Sequence, residues 1–289
     1  MRILCFDIGG TDIKYGVIED AQILVKDSMP TNHQLGLDSV QNRLLNVARK
    51  MIKEYNVEGI GISVAGCVDF DYGIVTVGPD SIPDFNNWNL RKLFEDNVGL
   101  KVVVDNDVNC FGVAEGTSGA GAKYHNFLTM TVGTGIGGAI VINGEMWRGL
   151  NFKAAEFGRM IIPGGKYESL AATSALVRQA RIAGLTCGNG KDVFDLYDQK
   201  NKQAIEVVTN FYKNLATGIA NLVYIFNPEA IVIGGGISNR KTFATELKRE
   251  LKKIMNPSFY DTVKIFNAAY ANDGGIMGAY YNYLSVYGR

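Results

Sequence analysis

The sequence predicts an α/β protein of two lobes, each opening on a strand, a glycine turn and a returning strand. Two observations carry this. Residues 2–7 read as a short buried strand ended by Gly9-Gly10, and the apolar run 13–18 follows at once. Residues 127–132 repeat the pattern, with Gly133-Thr134-Gly135-Ile136-Gly137-Gly138 as the turn and 139–143 as the returning strand, turned back at Asn143-Gly144. Similar architecture with little identity is the mark of a weak internal duplication, although two unrelated glycine-rich hairpins would look alike.

The remaining elements follow in order. Residues 22–26 offer a third strand. Val40, Leu44, Val47, Ala48, Met51 and Ile52 give 37–55 a helical period. Runs 59–65 and 101–105 read as buried strands. Between them 69–83, rich in Gly, Pro and Asp, reads as loop with a small hairpin, and 108–115 opens a helix. A short strand is expected at 160–163. Residues 169–183 and 202–226 are amphipathic helices, and the buried strand 230–233 is broken by Gly234-Gly235-Gly236. A helix at 239–255, a last strand at 262–267 and a terminal helix at 274–284 complete the chain.

Bulk properties narrow the function. The 289 residues are 47% hydrophobic and 20% charged, ordinary for a globular protein with a buried core. Lys+Arg and Asp+Glu are 29 each, so no net charge draws the chain to nucleic acid or an anionic membrane. No apolar run reaches the ~20 residues of a bilayer span, and the opening strand with Asp7 leaves no signal peptide. A soluble, cytoplasmic protein is expected. Cys5, Cys67, Cys110 and Cys187 form no C-x-x-C pair and read as reduced thiols.

Chemistry concentrates at a few points. In Asp7-Ile8-Gly9-Gly10-Thr11 a strand runs into two glycines, whose backbone N–H groups can turn toward phosphate oxygens. Thr11 adds a hydroxyl and Lys14 a cation. Asp7 is placed to hold Mg²⁺ through water. A plain hairpin with a capping Asp is the alternative. The second turn matches G-x-G-x-x-G at Gly133, Gly135 and Gly138, yet a dinucleotide fingerprint must open a helix, and here a strand follows. A second phosphate-cradling hairpin replaces that reading, with Thr131 and Thr134 facing the terminal phosphates. A Walker A loop is absent. Gly234-Gly235-Gly236 permits close approach of a flat ring such as adenine, or marks a strand-to-helix turn.

Asn106-Asp107 follows a strand and precedes a helix. That placement suits either a helix N-cap or a carboxylate that takes a proton from a hydroxyl while its neighbour orients the acceptor. Glu156 and Glu168 flank the short strand and are either acceptors for adjacent hydroxyls or plain surface acids.

Five motifs in order settle what these points have in common. They are Asp-Ile-Gly-Gly-Thr-x-Ile-Lys (7–14), Gly-Ile-Ser-Val-Ala-Gly (61–66), Asn-Asp-Val-Asn-Cys (106–110), Val-Gly-Thr-Gly-Ile-Gly-Gly (132–138) and Ile-Gly-Gly-Gly-Ile (233–237). Together they resemble the ROK family (repressors, open reading frames and sugar kinases) of the actin-like ATPase superfamily, over essentially the whole chain. The resemblance implies two RNase H-like, actin/hexokinase-type lobes with an interlobe active-site cleft. The expected division is 1–117, with the terminal helix 273–289 packing back on it, and 118–272. It also implies a kinase that moves the γ-phosphate of ATP, with Mg²⁺, to a small sugar such as a β-glucoside, glucose or N-acetylmannosamine, at the 6-OH. The equivalent of Asp107 would be the base, and Gly66, Asn106, Glu156 and Glu168 would contact the sugar. The turns Gly9–Thr11 and Gly133–Gly135, with Gly235 and Gly236, would hold the nucleotide. A homodimer is usual for the family.

Two departures stand out. Where the family commonly has Glu-x-Gly-His, this chain has Glu156-Phe157-Gly158-Arg159, and the segment 163–168 carries no cysteine. No zinc site is expected, which is similar to a zinc-free branch containing β-glucoside kinases and proteins labelled N-acetylmannosamine kinases. Arg159, always charged and donor-only, either reshapes the pocket near C1/C2 of the sugar or pairs with a neighbouring acid. Two other functions are the alternatives. A non-catalytic, sugar-sensing repressor would need a helix-turn-helix ahead of Asp7. An actin- or Hsp70-type ATPase switch would lack the Asn106-Asp107 and Glu156/Glu168 constellation.

Overall fold

The computed structural model describes residues 1–288, so Arg289, the last residue of the expected terminal helix, lies outside the described residues. The chain divides into two units: Met1–Thr117 with Arg148–Ala154 and the stretch from Asp273 onward, and Ser118–Trp147 with Ala155–Asn272. The expected boundary left 148–154 in the second lobe. The chain instead returns there to the first unit, because Arg148 pairs with the buried Asp105.

In the first unit the strands are β1 (Ile3–Ile8), β2 (Asp12–Glu19), β3 (Gln22–Pro30), β4 (Gly59–Val64), the short β5 (Cys67–Asp69), β6 (Ile74–Val77) and β7 (Trp88–Asn89), and β8 (Val102–Asn106). The main sheet runs β3-β2-β1-β4-β8, antiparallel through the opening hairpin and parallel from β1 to β8. Alternation sends Leu4, Phe6 and Ile8 into one core, where helix α1 (Leu37–Tyr55) lays down Val40, Leu44, Ala48 and Met51. The opposite face receives the C-terminal helix Gly274–Tyr287, packed on β1, β4 and β8. Glycines on β4 admit it so closely that a Cβ at Gly61 would lie 2.4 Å from Ala279 O. Parallel register lines up the strand ends, pairing Asp7 with Ser63 and Val64 with Asn106, and so brings three chemistry-bearing strand ends to one edge.

The second unit repeats the plan. β9 (Phe127–Val132), β10 (Ile136–Ile142), β11 (Glu145–Met146), the pair β12 (Ile161–Ile162) and β13 (Gly165–Lys166), β14 (Ala230–Gly234) and β15 (Lys264–Asn267) follow in sequence. The sheet order β11-β10-β9-β14-β15 mirrors the first, again a hairpin followed by parallel strands. Its apolar core joins these strands to Leu176, Phe211, Leu215, Ile219, Phe243 and Leu247 of the helices.

Several expectations shift. β3 runs on to Pro30, and β10 starts at Ile136, so Gly137 and Gly138 are strand and the turn is shorter than expected. The helix expected over 169–183 is two, Tyr167–Ala171 and Thr173–Ile182, broken where Ala172 is extended (ψ 159°). The helix expected from 239 begins at Phe243, behind a 3₁₀ turn at Gly236–Asn239. Among the described residues three helices went unexpected: Leu90–Val98, started by the Asn89 side chain on the Lys92 N–H, Gly190–Asp198, started by a capping box of Asn189 and Asp192, and the single turn Pro257–Tyr260. Among the described residues no helix is long and apolar enough to cross a membrane.

Candidate active site

Asp7 is the penultimate residue of β1 and its carboxylate is largely covered. Ser63 Oγ, its neighbour on β4, donates to Oδ1 at 2.7 Å, and Lys14 Nζ, its partner on β2, lies 3.6 Å from Oδ2. The turn beyond is closed by Gly9 N–H on Asp12 O at 3.0 Å and held from behind by Thr31, whose hydroxyl donates to Gly9 O at 2.7 Å. Gly10 and Thr11 are exposed at its tip. Neither Gly9 nor Gly10 has a positive φ. The turn therefore uses their missing side chains, which leave the backbone bare, and not the left-handed freedom that glycine also offers.

Asn106 and Asp107 stand at the junction of β8 and the helix Asp107–Ser118. Capping falls mainly to Asn106, whose Oδ1 accepts the N–H groups of Val108 (2.9 Å) and Asn109 (3.0 Å). Its Nδ2 donates to Gly66 O at 2.9 Å and to Asp107 Oδ1 at 2.8 Å. Gly66 is held at φ 113°, where a Cβ would strike Val77 O. Asp107 Oδ1 also accepts the Val108 N–H at 3.0 Å. Burial, and then the negative charge of Asp7, push the Asp107 carboxyl up to about 7, against hydrogen bonds from Val108 and Asn106 that pull it down. A carboxylate so tuned can take a proton near neutral pH.

Sequence reasoning missed what lies behind this pair. The Asp105 side chain is fully buried and accepts from Arg148 Nη2 (2.7 Å), Asn109 Nδ2 (3.1 Å), Asn282 Nδ2 (3.2 Å) and the Asn106 N–H (2.8 Å). The one local signal was an acid at the end of an apolar strand, where only a paired charge can be buried.

In the second unit the turn after β9 joins Gly133 N–H to Gly135 O at 3.0 Å. Ser174 grips it from the next helix, its hydroxyl donating to Thr134 O at 2.5 Å, while Thr173 Oγ1 donates to Val132 O at 3.3 Å. Thr131 is half-buried on β9, two residues before Gly133. A cavity of about 710 Å³ opens here, lined by Gly133, Thr134, Thr173, Ser174, Asn189 and Gly236. A neighbouring cavity of similar size shares Thr173, Asn189 and Gly236 and is walled by Phe194 and Arg240. Arg240 is fixed by Asp198 (2.7 Å) and Glu246 (2.7 Å) and lies 4.8 Å over the Phe194 ring. Gly235 takes φ 88°, ψ 168°, and a Cβ there would lie 2.4 Å from Val132 O. Thr173, Ser174 and Asn189 had no motif to announce them; the capping box at Asn189 and Asp192 was the available sign.

Glu168 opens the helix Tyr167–Ala171, with Lys166 Nζ 3.7 Å from its Oε1. Its Oε2 lies 2.9 Å from where side chains would start at Gly135 and Gly158, so this carboxylate abuts the Gly133–Gly135 turn. Glu156 and Arg159 bracket a 3₁₀ turn, and Arg159 Nε donates to Glu156 Oε2 at 3.0 Å with both side chains about half exposed.

The model of the ROK family matches residues 3–284. The chain belongs to the ROK family. A β-glucoside kinase of Listeria monocytogenes is 37% identical over 301 residues, covering 100% of this chain and 99% of the relative. Among solved structures, a Listeria monocytogenes protein provisionally described as an N-acetylmannosamine kinase superposes with a TM-score of 0.88 at 34% identity, covering 99% of each chain. A ROK glucokinase of Streptomyces griseus, solved with glucose and AMPPNP, gives 0.84 at 26% identity, covering 96% of this chain and 98% of its own. The two-unit α/β architecture above is thus the hexokinase-type, actin-like fold of ROK sugar kinases.

Proposed function

We propose that this protein is an ATP-dependent sugar kinase that phosphorylates the 6-OH of a hexose or hexose derivative, with Asp107 as the general base. The observation that carries the proposal is the Asp107 carboxyl, aimed by Asn106 and tuned to about 7 by burial and by Asp7. Relatives named β-glucoside kinase and a neighbour solved with glucose and an ATP analogue support the substrate classes.

In the proposed reaction Asn106, Asp107, Gly66, Glu156 and Glu168 bind the sugar hydroxyls. Arg159, through its pair with Glu156, sets which sugars fit. Asp107 accepts the 6-OH proton as that oxygen bonds to the γ-phosphorus of ATP and the bridging P–O bond to ADP breaks. Backbone and hydroxyl groups of Gly9, Gly10, Thr11, Thr131, Gly133, Thr134 and Gly135, with Lys14, hold the phosphates. Gly235 and Gly236 border the nucleoside. Mg²⁺ asks for one or two carboxylates and otherwise keeps water and phosphate ligands. Asp7, at the strand edge and already held by Ser63, fits such a through-water role. When bound, the ion would neutralise phosphate charge. A homodimer, usual for ROK enzymes, and a cytoplasmic location, where ATP is available, complete the proposal.

A coupled ADP-release assay against glucose, mannose, N-acetylmannosamine, N-acetylglucosamine and cellobiose tests it, with Asp107→Asn as the control. The variant should lose roughly 10²–10⁴ in kcat on the preferred sugar while still binding it. Near-normal turnover by Asp107→Asn would remove the base, and no turnover of any sugar by wild type would remove the kinase.

A further inference from the structure

We propose that Arg148 is a positioning residue for the catalytic base, acting through the buried carboxylate of Asp105 on the Asn106-Asp107 junction. The inference rests on the kinase reading above for its kinetic consequence and on geometry alone for its structural one.

Asp105 lies near the end of β8, the edge strand of its sheet, with no exposed side-chain surface, next to the two residues proposed to face the acceptor. An ionised carboxylate there needs a partner, because burial strips its water and leaves only protein donors to replace it. Arg148 supplies the charge, with Nη2 at 2.7 Å and Nε at 3.2 Å from Oδ2, a fork a lysine could not reproduce. The guanidinium is itself largely covered and lies 3.9 Å from the centroid of the Phe70 ring. Asp105 Oδ1 meanwhile takes the Asn106 backbone N–H and the Asn109 side chain, one residue before the base and two after it. Asn106 then spends one side-chain proton on Gly66 O and another on Asp107 Oδ1. The chain of contacts runs Arg148, Asp105, Asn106, Asp107, with no gap wider than a hydrogen bond.

The route of the backbone makes this more than local packing. Trp147 and Ala155 belong to the second unit, while Arg148–Ala154 belongs to the first. The excursion leads directly on to Glu156 and Arg159. Arg148 is its ion-paired residue on Asp105, so the seating of this strap and the orientation of the base are one event.

Arg148→Met and the double variant Arg148→Met/Asp105→Asn decide the matter against wild type. Steady-state kinetics, melting temperature and hydrogen exchange of the segment 104–112 are measured on each. Arg148→Met should lower kcat by about a hundredfold, the cost of a misplaced reacting group, with the sugar KM changed by less than about threefold. Exchange in 104–112 should rise. The double variant should regain about tenfold in kcat and most of the protection, since a neutral amide needs no cation. If Arg148→Met does not fold, Arg148→Lys keeps the charge without the fork and should show a smaller loss of the same kind. A kcat within about threefold of wild type for the single variant overturns the proposal. So does a loss that the double variant fails to recover with exchange in 104–112 unchanged. Should wild type phosphorylate no sugar, the kinase reading fails by itself, and the exchange comparison alone then upholds or overturns the coupling.

Discussion

Asn106 Nδ2 donates to Asp107 Oδ1 at 2.8 Å while Asn106 Oδ1 caps the helix that Asp107 begins. The sequence left Asp107 open between helix cap and base; the Asn106 amide carries most of the cap and holds the Asp107 carboxyl as well. With the cap carried mainly by Asn106, the Asp107 carboxyl is available for proton transfer, and the surrounding charges set when.

The Asp107 carboxyl stands at about 7, against 3.8 ordinarily, because burial and Asp7 both disfavour its charge. In the proposed role of base it works only when ionised, so kcat/KM should rise with pH through an acidic limb centred near 7 and level off above it. The linked effect on stability has the opposite sense. Between about pH 4 and 7 the folded chain keeps a proton that the unfolded chain releases. The favourable contribution of the neutral carboxyl is therefore complete below about pH 4, and is lost as pH rises through 7. Asp107→Asn, which cannot ionise, should melt about 2 °C or more above wild type at pH 8, with the gain shrinking toward pH 4. Equal melting temperatures at pH 8 would mean that the site solvates its charge well.

How much of this was legible in sequence follows from how local each feature is. The two hairpins, the strand ends at Asp7 and Asn106, and the long helix Lys202–Phe226 are written in contiguous patterns. Partners brought in from afar are not. Arg148 reaches Asp105 across 43 residues with no periodicity around it, and Asn282 reaches the same carboxylate across 177. The break at Ala172 likewise has no proline or glycine to mark it; it serves to bring Thr173 and Ser174 onto the Gly133 turn. The glycines of both turns were legible as bare backbone, but their conformation was not: the positive φ falls on Gly235, beside the cavity-lining Gly236.

Arg159 Nε lies 3.0 Å from Glu156 Oε2, and both groups are about half exposed, so the pair contributes at most about 1 kcal/mol to stability. Its consequence should be selectivity. A carboxylate held by a guanidinium presents fewer lone pairs to sugar hydroxyls than one beside a neutral imidazole. Arg159→His should leave the melting temperature within about 2 °C of wild type and change the ratio of kcat/KM between cellobiose and glucose by about fivefold or more. An unchanged profile across the sugar panel would remove Arg159 from specificity.

Gly235 occupies φ 88°, ψ 168°, a region essentially closed to residues with a side chain, and its neighbour across the gap is the carbonyl of Val132 at the start of the Gly133 turn. Alanine there would pay about 1–3 kcal/mol in backbone strain and would also push a methyl group against Val132 O. Both effects move the Gly133 turn and the Gly236 wall of the cavities together. Gly235→Ala should therefore raise KM for ATP about tenfold or more, with a smaller change in KM for the sugar, whose proposed ligands lie elsewhere. A variant that folds, melts lower and keeps its KM for ATP would show that this loop does not border the nucleotide.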